Sequence, residues 1–413
     1  METFSRYESN VRSYCRSFPA VFNRAKGSIL YSEAEAPYLD FFSGAGTLNY
    51  GHNNDYIKGK VLKYLESDNV LHALDMSTSA KRAFIKGFVE HILQPLNLDY
   101  KLQFCAPTGT NAVEAALKIA RSVKKRVNVL AFQGGFHGMS LGALSVTSNV
   151  DYRKAAGVPL TNVTFIPYSD GSDDDIRSIE IIDRILSNGH SGIERPSAII
   201  FETVQAEGGI NVAPIRWLQE LSLLCKKNEI LLICDDIQVG CYRTGSFFSF
   251  ERAGITPDIV LLSKSLSGIG LPMSLLLMKP ELDIWRPGEH SGTFRGNQLA
   301  FVGAAAALEY ANKIKIISKV KEHENFLKHF LSSKIGSLND KIEIRGIGMI
   351  WGVDVARFED DQLAKKIADI CFQRGLIIER CGRQDTVLKL LPPLTIESNL
   401  LEKGCNILRA SVS

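Results

Sequence analysis

The sequence predicts an α/β protein: a large domain on a mostly parallel, seven-stranded sheet, with a smaller α/β domain beside it. Short apolar runs alternate with amphipathic helical stretches through most of the chain. The apolar runs are continuous rather than alternating, as in strands buried on both faces. After Asn297 the pattern changes to a long Ala-rich helix and then to a second series of strands and helices.

The strands of the large sheet are expected at 102–107, 127–132, 163–168, 198–204, 230–235, 259–262 and 272–278. Helices at 111–125, 175–187 and 214–228 separate them, and the basic run Lys124-Lys125-Arg126 closes the first. The smaller domain is expected to hold helices at 299–313 and 317–332, a strand at 342–355, a helix at 361–374, strands at 376–380 and 386–391, and a final helix at 396–412. Residues 38–43 are expected to join it from the front of the chain. The division is therefore 1–50 joining the small domain, 51–305 as the large domain and 306–413 as the small C-terminal domain.

Of the 413 residues 45% are hydrophobic and 23% charged, and the formal net charge is only +3. That balance implies no nucleic-acid partner and no membrane surface. The opening Met1-Glu-Thr-Phe-Ser-Arg lacks the apolar core of a signal peptide, and no apolar run approaches the ~20 residues of a spanning helix. None of the eight cysteines forms a Cys-x-x-Cys pair, and several fall in apolar runs. Reduced, buried thiols in a cytoplasmic protein are expected. The histidines show no metal-ligand spacing, so no metal is expected, and His323 and His329, on a charged helical stretch, are expected at the surface.

Two of the strands end in residues that carry chemistry. Asp258-Ile-Val-Leu-Leu-Ser263 runs into Lys264, followed by Ser265, Ser267 and Gly268; Ile230-Leu-Leu-Ile-Cys234 runs into Asp235. Ligands of such sheets sit beyond the C-terminal strand ends, which puts a lysine and an aspartate at one place. Pyridoxal 5'-phosphate needs that pair. The amine forms a Schiff base with its aldehyde, and the carboxylate keeps the pyridine nitrogen protonated so that the ring accepts electrons. Burial is expected to depress the Lys264 amine, which then serves as the base that moves the substrate proton. Asp236 is expected to serve structure, and Gln238 to donate to the phenolic oxygen of the ring.

Three glycine-rich segments complete the site. Pro107-Thr108-Gly109-Thr110-Asn111 opens a helix, whose free N–H groups suit a phosphate, with the Thr110 hydroxyl beside them; a plain helix cap is the bland alternative. In Gly134-Gly135-Phe136-His137-Gly138 the Phe136 ring suits stacking on a planar cofactor and His137 its edge; a tight turn with a core phenylalanine is the alternative. Thr293, in Gly292-Thr-Phe-Arg-Gly-Asn297, offers a further phosphate hydroxyl or caps a loop.

The segments Phe201-Glu202-Thr-Val-Gln205-Ala-Glu207-Gly208-Gly209 and Asp235-Asp236-Ile-Gln238-Val-Gly240-Cys-Tyr-Arg243-Thr-Gly245, with the Lys264 strand, stand in the order and spacing of the class III aminotransferases. The chain resembles that family, which has fold type I of the pyridoxal phosphate enzymes, over nearly its whole length. Ser17-Phe18-Pro19, Gly44-Ala-Gly46-Thr-Leu-Asn49, Phe247-Phe-Ser-Phe250 and Leu388-Lys389-Leu-Leu-Pro392 are similar to its diaminobutyrate group. The resemblance implies that Gly109 and Thr110 hold the phosphate, Phe136 stacks, Asp235 meets the ring nitrogen, Gln238 meets the phenolic oxygen and Lys264 holds the aldehyde. It implies that Thr293 reaches the phosphate of the neighbouring subunit, so that a homodimer shares its active sites. Many relatives carry an arginine for the α-carboxylate of glutamate where this chain has Lys389, and a glutamate like Glu207 shields it when the other substrate enters. Lysine offers one mobile ammonium in place of a fork. Val239, Tyr242 and Ala206 depart from the pattern, and Tyr242 is expected to bear on substrate shape.

The implied reaction moves an amino group from L-glutamate to L-aspartate 4-semialdehyde, reversibly, giving 2-oxoglutarate and L-2,4-diaminobutyrate for ectoine or a secondary metabolite. The rivals are another ω-amine or aldehyde aminotransferase, 4-aminobutyrate- or ornithine-like, a semialdehyde aminomutase, and a non-catalytic cofactor-binding protein.

Overall fold

The computed structural model describes residues 2–412, so Met1 and Ser413, at the ends of the two outer segments, lie outside the described residues. Seven strands form the central sheet: β1 Lys101–Phe104, β2 Val129–Phe132, β3 Val163–Ile166, β4 Ala198–Phe201, β5 Leu231–Asp235, β6 Ile259–Leu262 and β7 Leu275–Met278. Their order across the sheet is β1-β7-β6-β5-β4-β2-β3. The pairs from β6 through to β3 are parallel, and β7 runs antiparallel to both of its neighbours. The expected mostly parallel sheet is present, and the reversal at β7 has a local cause. A parallel return needs a crossover, usually a helix, but the residues between β6 and β7 hold only the short turn Lys264–Ser267 and two glycines of positive φ.

β2, β4, β5, β6 and β7 are buried along their whole length, which accounts for their unbroken apolar sequences. Helix α1, Gly109–Lys124, covers one face and presents Ala112, Ala115, Ala116 and Ala120 to it. These small side chains let the helix lie close to the strands. Helix α2, Gln298–Lys313, packs Phe301 and its alanines against Phe84 and Phe104 on the other side. Each large apolar side chain so buried contributes about 1.5–3 kcal/mol.

Two smaller sheets flank this core. Phe22–Lys26, Ile29–Ser32 and Pro37–Asp40 form an antiparallel meander, which Leu376–Ile377 joins in parallel. Glu343–Ile347, Ile350–Asp354, Val387–Leu390 and Glu379–Cys381 form the other. The structure corrects the sequence reading in three places. The strand expected over 342–355 is a hairpin that folds back at Gly348, whose φ of +57° favours glycine. The strand expected over 376–380 is divided between the two small sheets. His323 is buried, not exposed, because it shares a helix face with Val320, Leu327 and Phe330. The cysteines are free thiols, all but Cys15 buried. Among the described residues no helix is long and apolar enough to cross a membrane.

A small apolar cluster joins the parts. Val204, Ala206, Ile210 and Val239 pack against Ile350, Cys381, Val387 and Leu391 of the C-terminal segments. The departures Ala206 and Val239 thus belong to this seam. Tyr242 is buried in the main core with its ring edge-on to Phe247, not on the wall of the cavity described below.

Candidate active site

β5 and β6 run parallel in register, Asp235 beside Leu261, so both end at one edge of the sheet. Asp235 is the last residue of β5, and Lys264 lies two residues past β6. Lys264 has a φ of +47°, a left-handed backbone that costs a non-glycine residue about 1–2 kcal/mol. Its side chain lines an open cavity of about 2070 Å³. Burial pulls its amine below the ordinary value; Glu207 opposes the fall and the Lys389 cation adds to it.

The buried Asp235 carboxylate accepts the Ile237 N–H at 3.2 Å, and its other oxygen lies 2.7 Å from His137 Nδ1. Burial works against charge on His137, but the Asp235 hydrogen bond and charge outweigh it and raise the imidazole. Behind them Glu202 accepts the Phe136 N–H at 3.0 Å, and burial pushes its carboxyl up to about 8. The sequence put His137 at the edge of a ring; in the structure the Nδ1 of His137 is taken by Asp235. Asp236 turns instead to Ser249, accepting from its N–H at 3.0 Å and from its hydroxyl.

Thr108 caps α1 in a reciprocal arrangement with Asn111. The first N–H groups of a helix, here those of Gly109 and Thr110, have no partner within it. A Cβ on Gly109 would lie 2.9 Å from the Ile237 side chain, so glycine lets the helix end meet the loop after β5. A Cβ on Gly138 would overlap the Thr110 side chain. The Thr110 hydroxyl lies 2.6 Å from that of Ser140, which donates to Glu114. Phe136 is on the cavity wall, its ring edge-on to Tyr152. Gln238 donates to the Ala45 carbonyl at 2.9 Å.

Lys389 is fully buried, with Nζ 2.6 Å from Glu207 Oε1 and 2.9 Å from Glu379 Oε2. Burial alone would lower the Lys389 amine, but the two carboxylates hold it well above its ordinary value. Burial likewise opposes charge on Glu207, and Lys389 and Lys264 reverse that, leaving its carboxyl below the ordinary range. Lys264, Glu207, Lys389 and Glu379 therefore form one charged group beside the cavity.

The family model for aminotransferase class-III matches residues 12–412. The chain belongs to the class III aminotransferases. It is 54% identical over 415 aligned residues, covering 100% of this chain and 95% of the relative, to a diaminobutyrate–2-oxoglutarate transaminase of Bordetella parapertussis. It is 50% identical to a protein of the same name from Halalkalibacterium halodurans, with coverage of 100% and 96%. Among solved structures, an aminotransferase of Bacillus anthracis shares the fold with a TM-score of 0.89 at 23% identity, over 100% of this chain and 97% of that one.

Class III aminotransferases work with pyridoxal phosphate, and the residues here fit that group. A lysine of lowered basicity lines an open cavity, a carboxylate braced by histidine lies at the neighbouring strand end, and a helix N-terminus stands among glycines where a Cβ would intrude. Thr293 is not brought to this place. It is exposed, and its carbonyl accepts from His72 Nε2 at 3.1 Å. Sequence reasoning missed Glu379, Tyr14 and Tyr152. Tyr14 and Tyr152 are half exposed and stand on the wall of the same cavity as Lys264, Glu207 and Glu379. The one signal for Tyr14 was proximity to the Ser17-Phe18-Pro19 motif. Glu379 gave no signal, since its importance comes only from the strand it pairs with.

Proposed function

We propose that this aminotransferase moves an amino group from L-glutamate to L-aspartate 4-semialdehyde, giving 2-oxoglutarate and L-2,4-diaminobutyrate, reversibly. The observation that carries the reading is the pair of the buried Lys389 with the half-buried Glu207 at 2.6 Å beside Lys264, in a chain half identical to transaminases named for that diamine. Pyridoxal phosphate, when bound, supplies an aldehyde that takes up an amine and a ring that accepts the electrons released at the substrate carbon.

The chain's own residues divide the remaining tasks. Lys264 anchors the cofactor, and its weakened basicity suits it to move the proton at the substrate carbon. Asp235, braced by His137, keeps the ring nitrogen protonated. Gly109 and Thr110 hold the phosphate, Phe136 lies against the ring and Gln238 reaches its phenolic oxygen. Thr293 serves the site of the partner in a cytoplasmic homodimer. Lys389 takes a substrate carboxylate when Glu207 turns aside. Residues 1–50 and 306–413 act as a small domain over the large domain 51–305, and the diamine feeds ectoine or a secondary metabolite.

The test is direct. Purified protein loaded with the cofactor is given glutamate and aspartate semialdehyde, and diaminobutyrate is measured by amino-acid analysis. Lys264→Ala should abolish both turnover and the visible absorbance of the lysine-bound cofactor. Efficient amination of another aldehyde without diaminobutyrate would overturn the substrate assignment.

A further inference from the structure

Lys389 faces two carboxylates, and they are held in different ways. Glu379 lies on the strand Glu379–Cys381, directly opposite Lys389 of Val387–Leu390 in the antiparallel register. Residues so opposed share a face with Cβ atoms about 5 Å apart, so Glu379 stays beside the lysine as long as the strands stay paired. Glu207 comes from the loop between Val204–Gln205 and Asn211–Val212. Its main chain is fixed: its carbonyl accepts the Gly382 N–H at 2.9 Å, and a Cβ on Gly208 would lie 2.5 Å from the Gly134 carbonyl oxygen. Its side chain is the more open of the two, 28% exposed against 11% for Glu379. Lys389 donates a directed hydrogen bond to Glu207, whereas Glu379 Oε2, 2.9 Å from the same Nζ, meets it as an ion pair of poor hydrogen-bond alignment.

We propose that Glu379 is the standing counter-ion of Lys389, and that its presence frees Glu207 to leave the lysine for the ammonium group of a substrate. A buried charge stripped of its single partner is strongly destabilised. A lone glutamate would be held in place by the cation it shields. With a second carboxylate already beside Nζ, the ammonium turns from Glu207 to Glu379 and no charge is left uncompensated. Burial raises the Glu379 carboxyl; Lys389 opposes the rise and Glu207 adds to it. Departure of Glu207 therefore removes one of the causes of that rise.

The inference rests on the diaminobutyrate reading for its substrate. A diamine reacting through its C4 amine carries an α-ammonium beside its carboxylate, whereas glutamate, apart from its reacting amine, carries carboxylates alone. Glutamate replaces Glu207 on Lys389; the diamine draws Glu207 to itself and leaves Lys389 to Glu379. Glu379 is then a positioning residue that sets the balance between the two half-reactions.

Two measurements on the cofactor-loaded enzyme test this. The first is a thermal cycle over Glu207→Gln, Glu379→Gln and the double variant. Each single change should lower the midpoint by no more than about 2 °C, because the other acid compensates, and the double change by at least about 6 °C. Adding Lys389→Met to the double variant should recover most of that loss, which also decides the matter if the double variant fails to fold. Additive losses, or no recovery in the triple variant, would overturn the proposal. The second follows the glutamate and diaminobutyrate half-reactions separately by cofactor absorbance. Glu379→Gln should lower the ratio of kcat/KM for diaminobutyrate to that for glutamate by at least about tenfold. An equal fall in both would also overturn it. If the unaltered enzyme reacts with glutamate but not with diaminobutyrate, the substrate assignment fails, and the thermal cycle by itself decides the role of Glu379.

Discussion

Glu202 is a buried carboxyl with one main-chain donor, and its acidity follows from that poverty of partners. Burial sets its pKa at about 8, against an ordinary glutamate value of about 4.3. Between those values the folded chain holds a proton that the unfolded chain has lost, so stability falls as pH rises through the interval. His137, raised by Asp235, adds to the same trend, because a raised imidazole also contributes below its ordinary value and loses that contribution above. Glu202→Gln keeps an oxygen for the Phe136 N–H and removes the titration. For cofactor-free protein, the thermal midpoint of the unaltered chain should drop between about pH 5 and about pH 8, and that of the glutamine variant should fall less and lie higher at the alkaline end. Parallel curves would show that Glu202 does not titrate there. Lys264 and Asp235 were legible in the sequence because a polar residue at the end of an unbroken apolar run has few structural uses. Glu379 was not. It reads as one more charge at the end of a strand, and only the register opposite Lys389 gives it meaning.

The helix α1 shows what an element adds beyond its residues. Its N-terminus is closed by Thr108 and Asn111, wedged against Ile237 through Gly109, and tied to the loop after β2 through Thr110, Gly138 and Ser140. Gly138 has a φ of +132° and no room for a Cβ beside Thr110. Gly138→Ala should therefore push Thr110 aside while leaving the buried alanine face of α1 in place. The expected result is cofactor affinity weakened by about 10- to 100-fold, with near-native circular dichroism, measured by titrating cofactor-free protein. Thr110→Val, which removes one hydroxyl without moving the main chain, should cost less, about 3- to 10-fold. If the alanine variant binds as tightly as the unaltered chain, α1 and the loop are not coupled in this way. Strands of the central sheet and the helices over it were legible because burial on both faces and one-sided helix periodicity leave plain patterns. The hairpin at Gly348 was not, since Gly346-Ile347-Gly348-Met349-Ile350-Trp351 carries no polar side chain through the turn. What bends it is a contact far away in sequence: the Met349 N–H donates to the Arg243 carbonyl at 2.8 Å, and a Cβ on Gly348 would overlap that same carbonyl oxygen.

At the scale of the whole molecule, Arg243 holds the parts together. It is fully buried on the chain segment that follows β5, yet its guanidinium donates to the carbonyls of Met349, at 3.0 Å, and Pro392, and to the side chain of Asn49. One side chain thus ties the large sheet to the front of the chain, the C-terminal hairpin and the segment after Lys389. Burial draws its guanidinium down to about 9, with the charge of Asp40 opposing; oxygens of carbonyl and amide groups, not a contacting carboxylate, meet its two terminal nitrogens, and Nε has no partner. Arg243→Ala leaves two buried carbonyls and one amide without donors, each worth about 1–3 kcal/mol when unsatisfied, and a total loss of about 3–5 kcal/mol is expected after partial rehydration. Arg243→Lys keeps the charge but replaces a rigid fork with a single ammonium, and should recover less than half of that loss. Because the bonds cross between segments, the loss should fall on cooperativity as well as on the midpoint. Urea unfolding of the alanine variant, followed by Trp351 fluorescence near the hairpin and by the absorbance of the bound cofactor, should show the C-terminal segments loosening first. A single transition at an unchanged midpoint, seen by both probes, would mean that the apolar seam of Val204, Ala206, Ile210 and Val239 against Ile350, Val387 and Leu391 holds the segments without help from Arg243.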